Sequence, residues 1–119
     1  MSKILISVTN SKNDTDRATV GFVVANASVA SEQETVIFLS IEGARLAVKG
    51  YADDIHEEGF KPLGELIASF VEAGGIIWVC SPCFKKRGLD ENNLIPGAVI
   101  VGGAKAVEFL SQGTASMTY

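Results

Sequence analysis

Four short apolar runs, Lys3–Val8, Val36–Leu39, Ile76–Cys80 and Ala98–Val101, punctuate the chain, and helical patterns separate them. Each run is too short for an ordinary helix and has the continuous apolar character of a strand buried on both faces. Strands that alternate with helices pair in parallel, because each crossover helix must lie on a face of the sheet. The expected fold is therefore α/β: a single three-layer α/β/α domain over residues 1–119 with a mainly parallel five-stranded sheet. Ala115 to Tyr119, more weakly patterned, supplies the fifth strand at an edge.

The helical segments differ in clarity. Asn13 or Asp14 can cap a helix whose body, Ala18 to Ala30, is apolar on more than one face, with Val20, Val23, Val24 and Ala27 on one side and Phe22 and Val29 on another. A helix apolar nearly all round is deeply buried or packed at an interface. Glu42 to Val48 is a weaker helical segment. Residues 50–61 are polar, acidic and without period, so they form a long loop, a candidate lid, and hold the single histidine, His56. Pro62 opens the clearest helix, with Leu63, Leu66, Ile67, Phe70 and Val71 on one stripe, and Gly74 and Gly75 end it.

The third run ends in Cys80-Ser81-Pro82-Cys83-Phe84-Lys85-Lys86-Arg87-Gly88. Both thiols thus stand at a strand's C-terminal end, the edge where open α/β sheets bind ligands. Two starts are open for the helix that follows. Ser81 is its cap with Pro82 in the first position, or Cys80 is the cap and directs its sulfur at unsatisfied backbone N–H groups. Either way one sulfur faces the positive end of a helix, which with Lys85, Lys86 and Arg87 favours thiolate over thiol. The three cations also suit the negative end of that helix by themselves, and Gly88 supplies its left-handed stop.

Composition narrows the chemistry. A net charge of −4 and a pI near 4.9 argue against nucleic-acid binding, since only residues 83–87 are locally basic. The N-terminal apolar run is too short for a signal peptide or a membrane span, so a cytoplasmic location is expected. A C-x-x-C pair in such a chain is reactive or metal-binding more often than a structural crosslink. It offers only two metal ligands where structural zinc takes four, so no metal is expected. Gly102-Gly103 precedes a helix, yet neither G-x-G-x-x-G nor a P-loop occurs, so no cofactor is expected. A thioredoxin-like dithiol and two cysteines that merely pack both remain open.

Val79-Cys80, a short linker and Lys86-Arg87-Gly88 resemble the active-site segment of the DsrE/DsrF family of sulfur-relay proteins, its TusD-related members in particular. The likeness runs along the chain: Ser7-Val8-Thr9-Asn10 with Asp14 to Ala18 is similar to the family's first loop and helix start. Ile37-Phe38-Leu39 with Glu42-Gly43-Ala44 is similar to its second strand and turn, and Gly113 to Tyr119 to its closing strand. The resemblance implies a cysteine that accepts sulfane sulfur as a persulfide and hands it to a partner protein. It selects Cys80, eight residues before the glycine of the Arg-Gly pair. Cys83 is extra relative to the TusD-like pattern and is expected to resolve or support Cys80, which also admits a dithiol redox role.

Lys85, Lys86 and Arg87 are expected to supply positive potential, and Asn10 and Arg17 to border the same crevice. The resemblance further implies a homo-oligomer, trimer or hexamer, and a sulfur donor or acceptor protein as partner. The alternative is a non-catalytic oligomeric binding module.

Overall fold

The computed structural model describes residues 2–119. Its elements run β1 (Lys3–Val8), α1 (Thr15–Ala30), β2 (Glu34–Leu39), a 3-10 segment (Ile41–Ala47), α2 (Leu63–Glu72), β3 (Ile76–Cys80), α3 (Ser81–Lys86), β4 (Ala98–Val101), α4 (Gly103–Leu110) and β5 (Ala115–Thr118). The strands form one sheet in the order β4-β3-β2-β1-β5, and every pair is parallel. The α/β fold expected from the alternating pattern is the fold observed.

Chain order and handedness fix which face each helix covers. β1 to β4 lie side by side in sequence, so right-handed crossovers carry their connections over one face. Phe22 of α1, Leu46 of the 3-10 segment, Phe70 of α2 and Phe84 of α3 accordingly share one buried cluster with Ile6, Ile37 and Val79. β5 lies on the far side of β1, and α4 reaches it over the opposite face, where Ala106 and Phe109 pack on Leu5 and Val36. That second layer is thin. The register sets Ser7, Phe38, Trp78 and Val99 in one row beneath α4. The Trp78 ring meets Phe109 edge-on at 5.6 Å, while Val99 stays 53% exposed.

Asp14 caps α1, its carboxylate accepting from the Arg17 backbone N–H at 3.1 Å. The helix buries Ala18, Gly21, Phe22 and Ala25, while Val20, Val23, Val24 and Val29 lie on its half-buried flanks. Small residues let the helix approach the sheet, so the valines do not form the inner stripe. Segment 50–61 is an irregular loop as expected, but it is pinned to the β1–α1 loop by Tyr51 and Ser11, whose hydroxyls are 3.1 Å apart, by Lys12 against Asp54 at 3.1 Å, and by Thr15 donating to Glu57. Ala52 and Ile55, within the segment, are buried. No helix is long and apolar enough to cross a membrane, among the described residues.

Candidate functional site: two thiols at the sheet's switch point

β3 continues into α3 on one face of the sheet, whereas β4 continues into α4 on the other. Adjacent strands whose connections depart to opposite faces leave a crevice between their C-terminal ends, where ligands bind in open parallel sheets. Cys80 is the last residue of β3 and pairs in register with Val101, the last of β4. The first thiol therefore stands at the switch point, opposite Gly102 and Gly103, around whose α-carbons the space is open.

Of the two helix starts, the one with Cys80 at the cap position is observed. Cys80 is extended (φ −65°, ψ 116°), and Ser81, Pro82 and Cys83 form the first turn. Pro82 sits where its missing N–H is harmless. α3 is only six residues long, anchored by Phe84, which is 2% exposed. Burial of that ring contributes about 1.5–3 kcal/mol. The helix closes in a Schellman arrangement: the Gly88 N–H donates to Lys85 at 3.0 Å, the Leu89 N–H to Phe84 at 3.3 Å, and Gly88 is left-handed at φ 63°. A buried aromatic and a glycine stop thus hold six residues that could not be a helix alone.

Both cysteines are free and half-buried, and Cys83 leans on the main core. The expected thiolate is not what the surroundings favour. Burial pushes the Cys80 thiol above its ordinary range, and the Cys83 side chain adds to the rise. The Cys83 backbone N–H and the Arg87 charge pull the other way without prevailing. Desolvation of the anion outweighs the end of a six-residue helix, and Cys80 makes no side-chain capping hydrogen bond.

Arg87 is the cation that acts on the thiol, and it is already engaged. Its Nε donates to Glu42 Oε2 at 2.7 Å and its Nη1 to the Cys83 carbonyl at 3.2 Å. Glu42 also accepts from Arg45 Nε at 3.0 Å through its other oxygen. Hydrogen bonds from Arg87 first and Arg45 second hold the Glu42 carboxyl below the usual carboxylate range.

A family model described as the DsrE/DsrF-like family matches residues 2–119. The chain belongs to the DsrE/DsrF-like family. It is 30% identical over 112 residues to the uncharacterized protein MJ0760 of Methanocaldococcus jannaschii, and 34% identical over 55 residues to the uncharacterized protein MJ0989 of the same organism. Those matches take in 94% and 46% of this chain, and 41% and 48% of the two relatives, so the chain spans less than half of each. Among solved structures, the ychN protein from E. coli aligns over all of both chains with a TM-score of 0.85 at 17% identity. MTH1491 from Methanobacterium thermoautotrophicum, a protein of unknown function, aligns over all of both chains at 0.72 and 12%. At these identities the structural likeness bears on the fold.

The other expected site residues of this DsrE/DsrF-like protein fall unevenly. Lys85 and Lys86 are exposed on the outer side of α3 and pair with no carboxylate among the described residues. Asn10 follows the end of β1, at the level of Cys80 but two strands away, and its hydrogen bonds run to Thr9 and Asn13 of its own loop. Arg17 is engaged locally: its guanidinium pairs with Asp14 at 2.5 Å and its side chain is 68% exposed. His56 bonds the Phe60 carbonyl at 2.8 Å within the 50–61 loop, whose side chains bond to Ser11 and Thr15 around the start of α1. An apolar cavity of about 330 Å³ between Leu46, Val48, Ile67, Val71, Ile95 and Pro96 has no cysteine in its wall. Among the described residues no three histidine, cysteine or acidic side chains gather where a metal ion could be held.

A pH profile follows. Alkylation of Cys80 by iodoacetamide should have its midpoint above that of a free cysteine, and Cys83→Ser should lower that midpoint by removing the neighbouring thiol. Rates measured by quenched peptide mapping check this, and a midpoint below a free cysteine's would contradict it.

Proposed function

We propose that this protein is a sulfur carrier that accepts sulfane sulfur on Cys80, with Cys83 as its resolving or supporting thiol. The observation that carries the reading is the placement of Cys80, half-buried, at the sheet's switch point, with a second free thiol, Cys83, in the first turn of the helix that follows and Arg87 bonded to that turn. Membership of a family associated with sulfur relay supports it.

The chemistry needs ionised sulfur and exposure more than a general base. The Cys80 thiolate attacks the terminal sulfur of a donor persulfide R–S–SH. A new S–S bond forms on Cys80, the donor's S–S bond breaks, and the donor leaves as its thiolate, with no net oxidation. Two exits exist. An acceptor thiolate removes the terminal sulfur and regenerates Cys80. Alternatively the Cys83 thiolate attacks Cys80 Sγ, a disulfide forms, and the terminal sulfur leaves as HS⁻; the two thiols are oxidised and the sulfane sulfur is reduced. The raised thiol pKa keeps Cys80 mostly protonated at rest, so uptake depends on a docked partner or on Arg87 to stabilise the anion.

Exposed Val99 at the sheet edge and exposed Val107 on the outer side of α4 support a homo-oligomer, and free C-x-x-C thiols suit a reducing, cytoplasmic setting. The test is incubation of wild type and Cys83→Ser with glutathione persulfide, followed by assay of sulfide release and of sulfur passed to an added acceptor thiol. Transfer that persists in Cys83→Ser while sulfide release falls supports a carrier with a resolving neighbour. Equal, background-level signals from both proteins would overturn the reading.

A further inference from the structure

Three consecutive residues after β2 each carry a constraint that their own packing does not require. Ile41 is left-handed at φ 55°, costly for a β-branched residue at about 1–3 kcal/mol, yet the residue is 52% exposed. Gly43 lies so close to β1 that an added Cβ would stand 2.0 Å from the Val8 carbonyl oxygen. Between them Glu42 uses both oxygens, one on Arg45 and one on Arg87, forty-five residues further along the chain. The strain and the close approach jointly aim Glu42 across the top of β2 and β3 at the end of α3. Arg87, whose side chain is 13% exposed, is fixed there with its other arm on the Cys83 carbonyl.

We propose that Glu42 is a positioning residue for the cysteine pair: it holds the Arg87 guanidinium against the Cys80–Cys83 turn and at the same time neutralises it, withholding that charge from Cys80 until a sulfur anion competes for it. This rests on the sulfur-carrier reading for its purpose but not for its test. The charged or titratable groups around Cys80 are few among the described residues. α3 and its stop contribute Cys83, Arg87 and the outward Lys85 and Lys86; the 3-10 segment contributes Glu42 and Arg45; from α4 Lys105 lies over the Trp78 ring at 5.7 Å. Val101 and Gly102 on the β4 side do not titrate. With the carboxylate present, Arg87 is half of an ion pair and stabilises a neighbouring anion weakly. With it removed, the same guanidinium is a free cation beside the thiol.

The experiment reads Cys80 alone, with no sulfur donor present, so it stands or falls separately from the carrier function. In the Cys83→Ser protein, iodoacetamide alkylation of Cys80 is followed across the neutral and alkaline range in combination with Glu42→Gln, Arg87→Gln and Arg87→Lys. Glu42→Gln should move the midpoint down by about half a pH unit or more, roughly threefold faster reaction near neutrality. Arg87→Gln should move it up, and Arg87→Lys, which keeps the charge without the fork, should recover part of that shift. A merely structural Glu42 would move the melting temperature and leave the midpoint in place. An unchanged midpoint in folded Glu42→Gln would overturn the proposal; if Glu42→Gln fails to fold, an unmoved midpoint in Arg87→Gln does so alone.

Discussion

Gly43→Ala is expected to destabilise the protein by more than ~4 kcal/mol, large enough to unfold much of a marginally stable domain at room temperature. The new methyl carbon would lie 2.0 Å from the Val8 oxygen and 2.8 Å from its carbon. Both are backbone atoms at the C-terminal end of β1, so no side-chain rotation relieves the clash. The same oxygen accepts the Ser40 N–H at 3.1 Å, and lifting the 3-10 segment away would break that bond and the Glu42 pairs together. Glycine to alanine inside a helical segment ordinarily stabilises by roughly 0.5–1 kcal/mol, so even the sign is informative. Urea denaturation measures it, and a loss under about 1 kcal/mol would show that this approach is not built as described.

Cys80→Ser is expected to abolish sulfur uptake, with transfer down at least about a hundredfold to the level of the uncatalysed exchange. A serine hydroxyl at the switch point keeps the size and the backbone but cannot form a stable sulfur–sulfur bond. Cys83 is not a substitute, because it packs against the main core and lies one helical turn past the strand end. The variant should fold as the parent does, since Cys80 makes no capping bond whose loss would matter. Transfer from glutathione persulfide to an acceptor thiol, assayed beside a melting curve, reads both. Residual transfer above a tenth of wild type in the folded variant would move the nucleophile elsewhere.

The parallel sheet was legible because every strand but the last is a continuous apolar run, and Gly88 was legible as a stop because little else ends a helix that way. The cysteine pair was legible for the same reason: a strand ended and a helix began within it. What local pattern could not convey is contact. Arg87 reads as a free cation until Glu42 is brought to it, so the sequence argument for a thiolate gave weight to a charge already neutralised and took no account of burial. Arg17 reads as a site residue by its place after the first loop, but Asp14, its own cap, holds it. On α1 the apolar residues on more than one face left the core side open, and the structure assigns it to Ala18, Gly21 and Ala25, which allow the close approach, and to Phe22, which fills it. The signal for Glu42 lay in an acid followed by glycine directly after a strand, which becomes specific only once φ at Ile41 is known.

The central claim is that Cys80 takes up sulfane sulfur, and intact-protein mass spectrometry tests it most directly. Wild type, Cys80→Ser and Cys83→Ser are exposed to glutathione persulfide and then to an alkylating trap. The account predicts a gain of about 32 Da, one sulfur, in Cys83→Ser and none in Cys80→Ser, with wild type divided between that adduct and a Cys80–Cys83 disulfide. An adduct that survives in Cys80→Ser, or no adduct and no disulfide in any of the three, would contradict it.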